Sequence, residues 1–229
     1  SSEMAKVMEN SYRAVNIAFI EEWARFAEAA KVDLFEVIGA IRKRPTHSNI
    51  MQPGFGVGGY CLTKDPAFAP AGAQYLFERN ELEFPFSRLA MKVNHAMPKH
   101  TFVRLESLLG GDYKNRSILL LGVSYRQNVG DTRHSLVESL ARDLEKRGAR
   151  VIGFDPYISY WPEMNRSLPR ELPDPSMFDA VVLTTPHRQF LDLNILDWLG
   201  SARPIVLDTA NVVNNEERQR YRVLGIQIE

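Results

Sequence analysis

Between residues 3 and 31, apolar side chains fall at Met4, Met8, Tyr12, Val15, Phe19, Trp23 and Phe26, steps of three and four that lay one stripe along a helix. No Gly or Pro interrupts this stretch, so the helix is expected to run for many turns. Asp33, with Glu36 three residues later, reads as a capping-box-like start for a second helix through about Ile41, which Pro45 ends. Pro45, Pro53, Gly54, Gly56, Gly58 and Gly59 then mark residues 45–62 as a loop. Helical spacing returns over about 83–110 at Leu89, Val93, Met97, Val103 and Leu105. Pro98 is expected to kink that helix, and Gly110-Gly111-Asp112 to stop it and supply a linker.

Beyond the linker the pattern changes. Ser117–Gly122 is a short continuous apolar run, as expected of a strand buried on both faces. Residues 135–148 read as an amphipathic helix whose last turn carries Lys146 and Arg147 at the negative end of its dipole. Val151–Phe154, Asp179–Thr184 and Pro204–Asp208 read as further strands, and Leu191–Leu199 as a helix. Alternation of this kind predicts a parallel, doubly wound sheet. The expected fold class is α/β, with an all-helical unit over 1–112 followed by a Rossmann-like parallel-sheet unit over 113–229.

Composition narrows the function classes. The 229 residues include 28 basic and 28 acidic side chains, a formal net charge of zero. That balance argues against a nucleic-acid or anionic-membrane surface covering the molecule. No apolar run approaches the roughly 18 residues of a membrane span, and no signal peptide opens the chain. The one cysteine, Cys61, allows no internal disulfide and suggests a reducing, cytoplasmic setting. The chain starts at Ser1 without an initiator methionine and enters a helical pattern at once, which reads as a cut inside a longer protein. The long first helix, apolar along one face, is expected to pair with its twin in a homodimer.

The strongest local signal runs from Gly54 to Asp65, GFGVGGYCLTKD. Its glycines allow close backbone approach to a ligand and leave N–H groups for anionic oxygens. A lone cysteine is most often a small buried hydrophobe. Here Cys61 follows the glycines and precedes Lys64 and Asp65, which gives it a chemical reading. If the segment after Gly59 is helical, Cys61 lies near a helix N-terminus that favours the thiolate, and Asp65 shares its helix face.

With Pro53 in front, this block resembles the catalytic-cysteine segment of the UDP-glucose/GDP-mannose dehydrogenase family. Ala5–Asn10 (AKVMEN) resembles the start of that family's central helix, and Val93–Pro98 (VNHAMP) a motif on its following helix. Gly122–Arg126 (GVSYR), Gly130–Ser135 (GDTRHS) and Phe154-Asp155-Pro156 resemble the start of its C-terminal nucleotide-sugar domain. The resemblance spans essentially the whole chain and omits only the family's N-terminal Rossmann domain.

It implies NAD-dependent oxidation of the C6 alcohol of a nucleotide sugar to a carboxylate, with UDP-sugar as substrate and NAD held mostly by the missing domain. Cys61 would carry the thiohemiacetal and then the thioester. Lys6 and Asn10 would face the reacting oxygen, and Asp65 would assist hydrolysis. Gly54, Phe55, Gly58, Tyr125 and Arg126 would contact the substrate, while Lys64 and Arg133 would reach the cofactor. No metal is implied. Arg126 stands where the family has a lysine, a position where a guanidinium can grip a diphosphate in two-pronged fashion.

Two departures concern the sugar. Asp208-Thr209-Ala210-Asn211 lacks an arginine common near the last strand, and Arg42, Arg44 and His47 all remain candidates for the arginine usually offered to a neighbouring subunit. PGFGVGG resembles the acetylhexosamine branch and Lys64-Asp65 the glucose branch, so which sugar is oxidised stays open. Two other classes also stay open: a non-catalytic nucleotide-sugar-binding or dimerisation relative, and an unrelated cysteine acyltransferase.

Overall fold

The computed structural model describes residues 1–224 and 228 and divides the chain into two compact units, 1–97 and 98 onward. Among the described residues no helix is long and apolar enough to cross a membrane.

In the first unit, α1 (Ser2–Ala30) is the uninterrupted helix that the spacing predicts, and Lys31 closes it in the left-handed conformation at φ 57°. Its inner face carries Asn10, Ala14, Ala18, Glu21 and Ala27, while Met4, Met8, Tyr12, Phe19, Trp23 and Phe26 are all exposed. The apolar stripe therefore lies away from this unit's own core. The small residues opposite it let other backbone come close.

Helix α2 (Leu34–Ile41) starts as expected, the Asp33 carboxylate accepting from the backbone N–H groups of Phe35 (2.8 Å) and Glu36 (3.3 Å). The following loop is tied to α1 through Asn16, whose Oδ1 accepts from Met51 N and whose Nδ2 donates to Asn49 O, both at 3.0 Å. Helix α3 (Phe68–Tyr75) leads to α4 (Pro85–Leu108). Asn94 on α4 donates to the Ala14 carbonyl of α1 at 3.0 Å. Helix α4 continues through Pro98, whose ring removes the N–H that would bond back to Asn94. The boundary between the compact units falls at that proline.

The second unit is α/β. Strands β1 (Ser117–Leu121) and β2 (Arg150–Phe154) flank α5 (Leu136–Lys146), which the Ser135 hydroxyl caps by accepting from Val137 N. A short antiparallel ladder, β3 (Tyr160–Trp161) with β4 (Arg166–Ser167), precedes β5 (Ala180–Leu183). Then follow α6 (Arg188–Leu191), α7 (Ile195–Leu199), β6 (Ile205–Asp208) and α8 (Asn215–Val223).

The main sheet is wholly parallel in the order β2-β1-β5-β6, with Leu119 opposite Ile152 and Val181, and Val181 opposite Val206. The chain steps from β1 to one side and then to the other, so its topological switch point lies between β1 and β5, where open α/β sheets bind ligands. The single helix expected over Leu191–Leu199 is two short ones. Asn194 breaks it by capping α7, its Oδ1 accepting from Asp197 N at 3.3 Å.

Candidate functional site

The first unit joins residues 55 positions apart. The Asn10 amide Nδ2 donates to Asp65 Oδ2 at 2.6 Å, and both side chains are buried, 1% and 7% exposed. One helical turn before Asn10, Lys6 is exposed on α1. Cys61 is exposed too, and its carbonyl accepts from Lys64 N (3.2 Å) and Asp65 N (2.8 Å). One tight turn thus carries the thiol at its start and the carboxylate at its end, with the carboxylate anchored to α1.

No α-helix follows Gly59. A turn runs from Cys61 into a 3-10 segment at Asp65–Ala67, and α3 begins only at Phe68. Pro66 has no N–H to bond back to the Leu62 carbonyl, so an α-helical ladder cannot run through this segment. The helix-dipole argument for the Cys61 thiolate therefore has no helix to rest on, and Asp65 and Cys61 do not share a helix face.

The glycine loop is shaped by backbone. Gly59 takes φ 82°, and the Thr63 hydroxyl donates to its carbonyl at 2.8 Å. Phe55 and Val57 are buried and fix the loop, while Gly54 is exposed and Gly58 half-buried. Gly54, Gly56 and Gly59 have the formal spacing of a dinucleotide-binding fingerprint, yet neither a strand before nor a helix after frames them. The Lys64 ammonium lies 4.1 Å from the Tyr60 ring centroid and 5.0 Å from that of Phe68, a cation held over two rings.

A residue that the spacing did not single out controls this loop. Glu21 on α1 is 8% exposed and accepts from Gly54 N at 3.0 Å. Burial pushes its carboxyl up to about 7, against the opposing pull of the Gly54 N–H and of Arg25 one turn on. Its only sequence signal is a carboxylate in register with the small inner-face residues Asn10, Ala14 and Ala18.

In the second unit, the loop after β1 lies at the switch point and carries Tyr125, half-buried, and Arg126, exposed. Gly122 opens it at φ 97°, where a Cβ would stand 2.5 Å from Thr185 Cβ and 2.9 Å from Thr185 N. Arg133 is exposed and engages Asp131 (Nη2–Oδ2 2.7 Å, Nε–Oδ1 3.0 Å), a pairing that holds the Asp131 carboxyl below its usual range. Near the last strand the basic group is Arg218 on α8, whose Nη2 lies 2.7 Å from the buried Asp208 carboxylate. Beneath the loop sit Ser124, Asp155 and His187, all buried. Ser124 and Asp155 each fall within a motif noted in the sequence, whereas His187 does not.

Each unit thus offers chemistry of its own: a thiol and an anchored carboxylate in one, and a loop carrying Tyr125 and Arg126 at the sheet's switch point in the other. Residues 1–96 match the central domain of the UDP-glucose/GDP-mannose dehydrogenase family, and residues 119–215 match that family's UDP binding domain. The chain belongs to the UDP-glucose/GDP-mannose dehydrogenase family.

It is 31% identical over 229 residues to UDP-N-acetyl-D-mannosamine dehydrogenase of Methanocaldococcus jannaschii, covering 97% of this chain and 50% of that protein. It is also 31% identical to NDP-N-acetyl-D-galactosaminuronic acid dehydrogenase of Ralstonia solanacearum, over 91% of this chain and 47% of that one. Among solved structures, NDP-N-acetyl-D-galactosaminuronic acid dehydrogenase from Methanosarcina mazei Go1 superposes with a TM-score of 0.87 at 27% identity, over all of this chain and 50% of that one. The chain spans about half the length of the curated relatives it matches.

Proposed function

We propose that this chain is the catalytic and substrate-binding part of an NAD-dependent nucleotide-sugar 6-dehydrogenase acting on a UDP-hexose or UDP-N-acetylhexosamine. Residues 1–112 form its catalytic and dimerising domain, and residues 113–229 its nucleotide-sugar domain. The observation that carries this reading is the buried Asn10–Asp65 hydrogen bond, which fixes the turn beginning at Cys61 against the helix bearing Lys6.

NAD, when bound, accepts a hydride at each of two oxidation stages. Lys64 in the first unit, a cation over two rings, suits an anionic pyrophosphate in charge; in the second unit the Arg133 guanidinium, paired with Asp131, would have to be shared with one. Every remaining step belongs to the chain. The Lys6 ammonium stabilises negative charge on the C6 oxygen, and the second Asn10 Nδ2 hydrogen donates to that oxygen. The Cys61 thiolate adds to the C6 aldehyde carbon, forming a C–S bond and a thiohemiacetal that is oxidised to a thioester. Water then adds to the thioester carbon while Asp65 takes its proton. The C–S bond breaks, releasing the carboxylate and restoring the thiolate. Two hydrides leave C6, one water oxygen enters, and three protons pass to solvent: that of the C6 hydroxyl, the one that Asp65 takes and the one that the new carboxylic acid sheds.

The relatives' names favour an acetylhexosamine. The test uses UDP-N-acetylmannosamine oxidised to the C6 aldehyde and labelled there with 13C. With this chain it should give a thiohemiacetal resonance that Cys61→Ser abolishes. A spectrum showing only free and hydrated aldehyde in both proteins would overturn the reading.

A further inference from the structure

The loop from Val123 to Asn128 is held at its two ends by two linked, buried side chains, Asp155 and His187. At its start, a single oxygen of Asp155, just beyond β2, accepts from Val123 N (2.8 Å), Ser124 N (2.9 Å), the Ser124 hydroxyl (2.5 Å) and His187 Nε2 (3.0 Å). At its end, the Asn128 backbone N–H donates to the other ring nitrogen, His187 Nδ1, at 2.9 Å. His187 is 0% exposed, and the rings of Tyr157 and Phe190 pack against it with centroids at 5.1 and 5.5 Å.

This arrangement fixes the tautomer. A backbone N–H can only donate, so Nδ1 presents its lone pair and the ring hydrogen sits on Nε2, pointing at the carboxylate. A proton on Nδ1 would set two donors against each other and release Asn128. The same residue types occur in hydrolase triads, but Ser124 here gives its proton to Asp155 and stands 3.5 Å from the nitrogen that already faces that carboxylate. No nucleophile results.

Asn128 sits in the left-handed region at φ 57°, and its side-chain oxygen accepts from Arg188 N at 2.8 Å, next to the histidine. The loop's middle is tied separately, through Thr185 Oγ1 to Ser124 O and Tyr125 N to Asp131 O. At its far end the Asn128 side chain is held by Arg188 N and the Tyr157 hydroxyl, and its backbone N–H by His187.

We propose that His187 is a positioning residue for nucleotide-sugar binding, a strut between Asp155 and Asn128 that fixes the loop bearing Tyr125 and Arg126 and works only as the Nε2–H imidazole. The inference rests on reading Tyr125 and Arg126 as nucleotide-sugar contacts.

Two substitutions separate the strut's ends. His187→Gln keeps a donor where Nε2 stands and removes the acceptor for Asn128; His187→Asn keeps an acceptor where Nδ1 stands and removes the donor to Asp155. In the 229-residue chain, His187→Gln should speed hydrogen exchange at the Asn128 amide at least about tenfold and weaken UDP binding by about threefold to tenfold, the scale of one lost hydrogen bond. His187→Asn should hold both within about threefold. Side-chain 15N spectra of the wild-type chain should show the Nε2–H tautomer, a readout that does not depend on either variant folding.

An Nδ1–H tautomer, or a folded His187→Gln protein with wild-type exchange and affinity, would overturn the strut. If the wild-type chain fails to bind UDP, the assignment of Tyr125 and Arg126 fails, while the exchange comparison still decides the strut.

Discussion

Glu21 gives the first unit a pH signature of its own. Its carboxyl is raised from 4.5 to about 7 by burial, so the folded chain binds that proton more tightly than the unfolded chain does. Stability from this group is therefore full below about pH 4.5 and falls as pH rises towards 7. Glu21→Gln removes the titration while keeping an oxygen for the Gly54 N–H. It should match wild type at pH 4.5 and exceed it at pH 8 by on the order of 2–3 kcal/mol in urea unfolding. An equal gap at both values would mean that the carboxyl titrates normally.

Asn10 and Asp65 lead to a second expectation. Asn10→Ala leaves the Asp65 carboxylate buried without that donor, which should cost about 1–3 kcal/mol in the same assay. A loss below about 0.5 kcal/mol would mean that the pair adds nothing to stability beyond what surface side chains do. Neither Glu21 nor the Asn10–Asp65 contact was legible in the sequence as geometry. Periodicity assigns faces within one helix, whereas these contacts join α1 to a loop more than thirty residues away.

Whole helices and strands were more legible than single contacts. The long apolar periods gave α1 and α4, and the continuous apolar runs gave β1, β2, β5 and β6, because side chains that must be buried leave a period of their own. Helix α3 and the ladder of β3 with β4 left no such trace. Eight residues rich in small side chains, and strands of two residues each, are too short for a period to show. Helix α8 is dominated by polar residues and passed unnoticed for the opposite reason.

The loop after β1 supports a sharper expectation. Gly122→Ala adds a Cβ into Thr185 at a backbone angle that side chains rarely adopt, and should cost on the order of 3 kcal/mol. Gly148→Ala, also at positive φ but with its nearest neighbour atom at 3.5 Å, should cost about 1 kcal/mol. Equal losses in thermal or urea unfolding would refute the steric account.

Across the whole molecule, the exposed stripe of Met8, Tyr12, Phe19, Trp23 and Phe26 asks for a partner, since long apolar side chains in one row on a surface mark an interaction site. A second copy is the proposed partner. Sedimentation should find a dimer at micromolar concentration, and Phe19→Glu with Phe26→Glu should give a monomer with unchanged helix content. A wild-type monomer would contradict that.

Whether the chain binds a nucleotide sugar is read by calorimetric titration. UDP, UDP-glucose, UDP-N-acetylglucosamine, UDP-N-acetylmannosamine and GDP-mannose are the ligands. One of the UDP-sugars should bind more tightly than UDP, and Arg126→Ala should weaken both by about tenfold, the loss of a charged phosphate contact. Heats indistinguishable from dilution for all five, or a UDP-sugar affinity untouched by Arg126→Ala, would contradict that expectation.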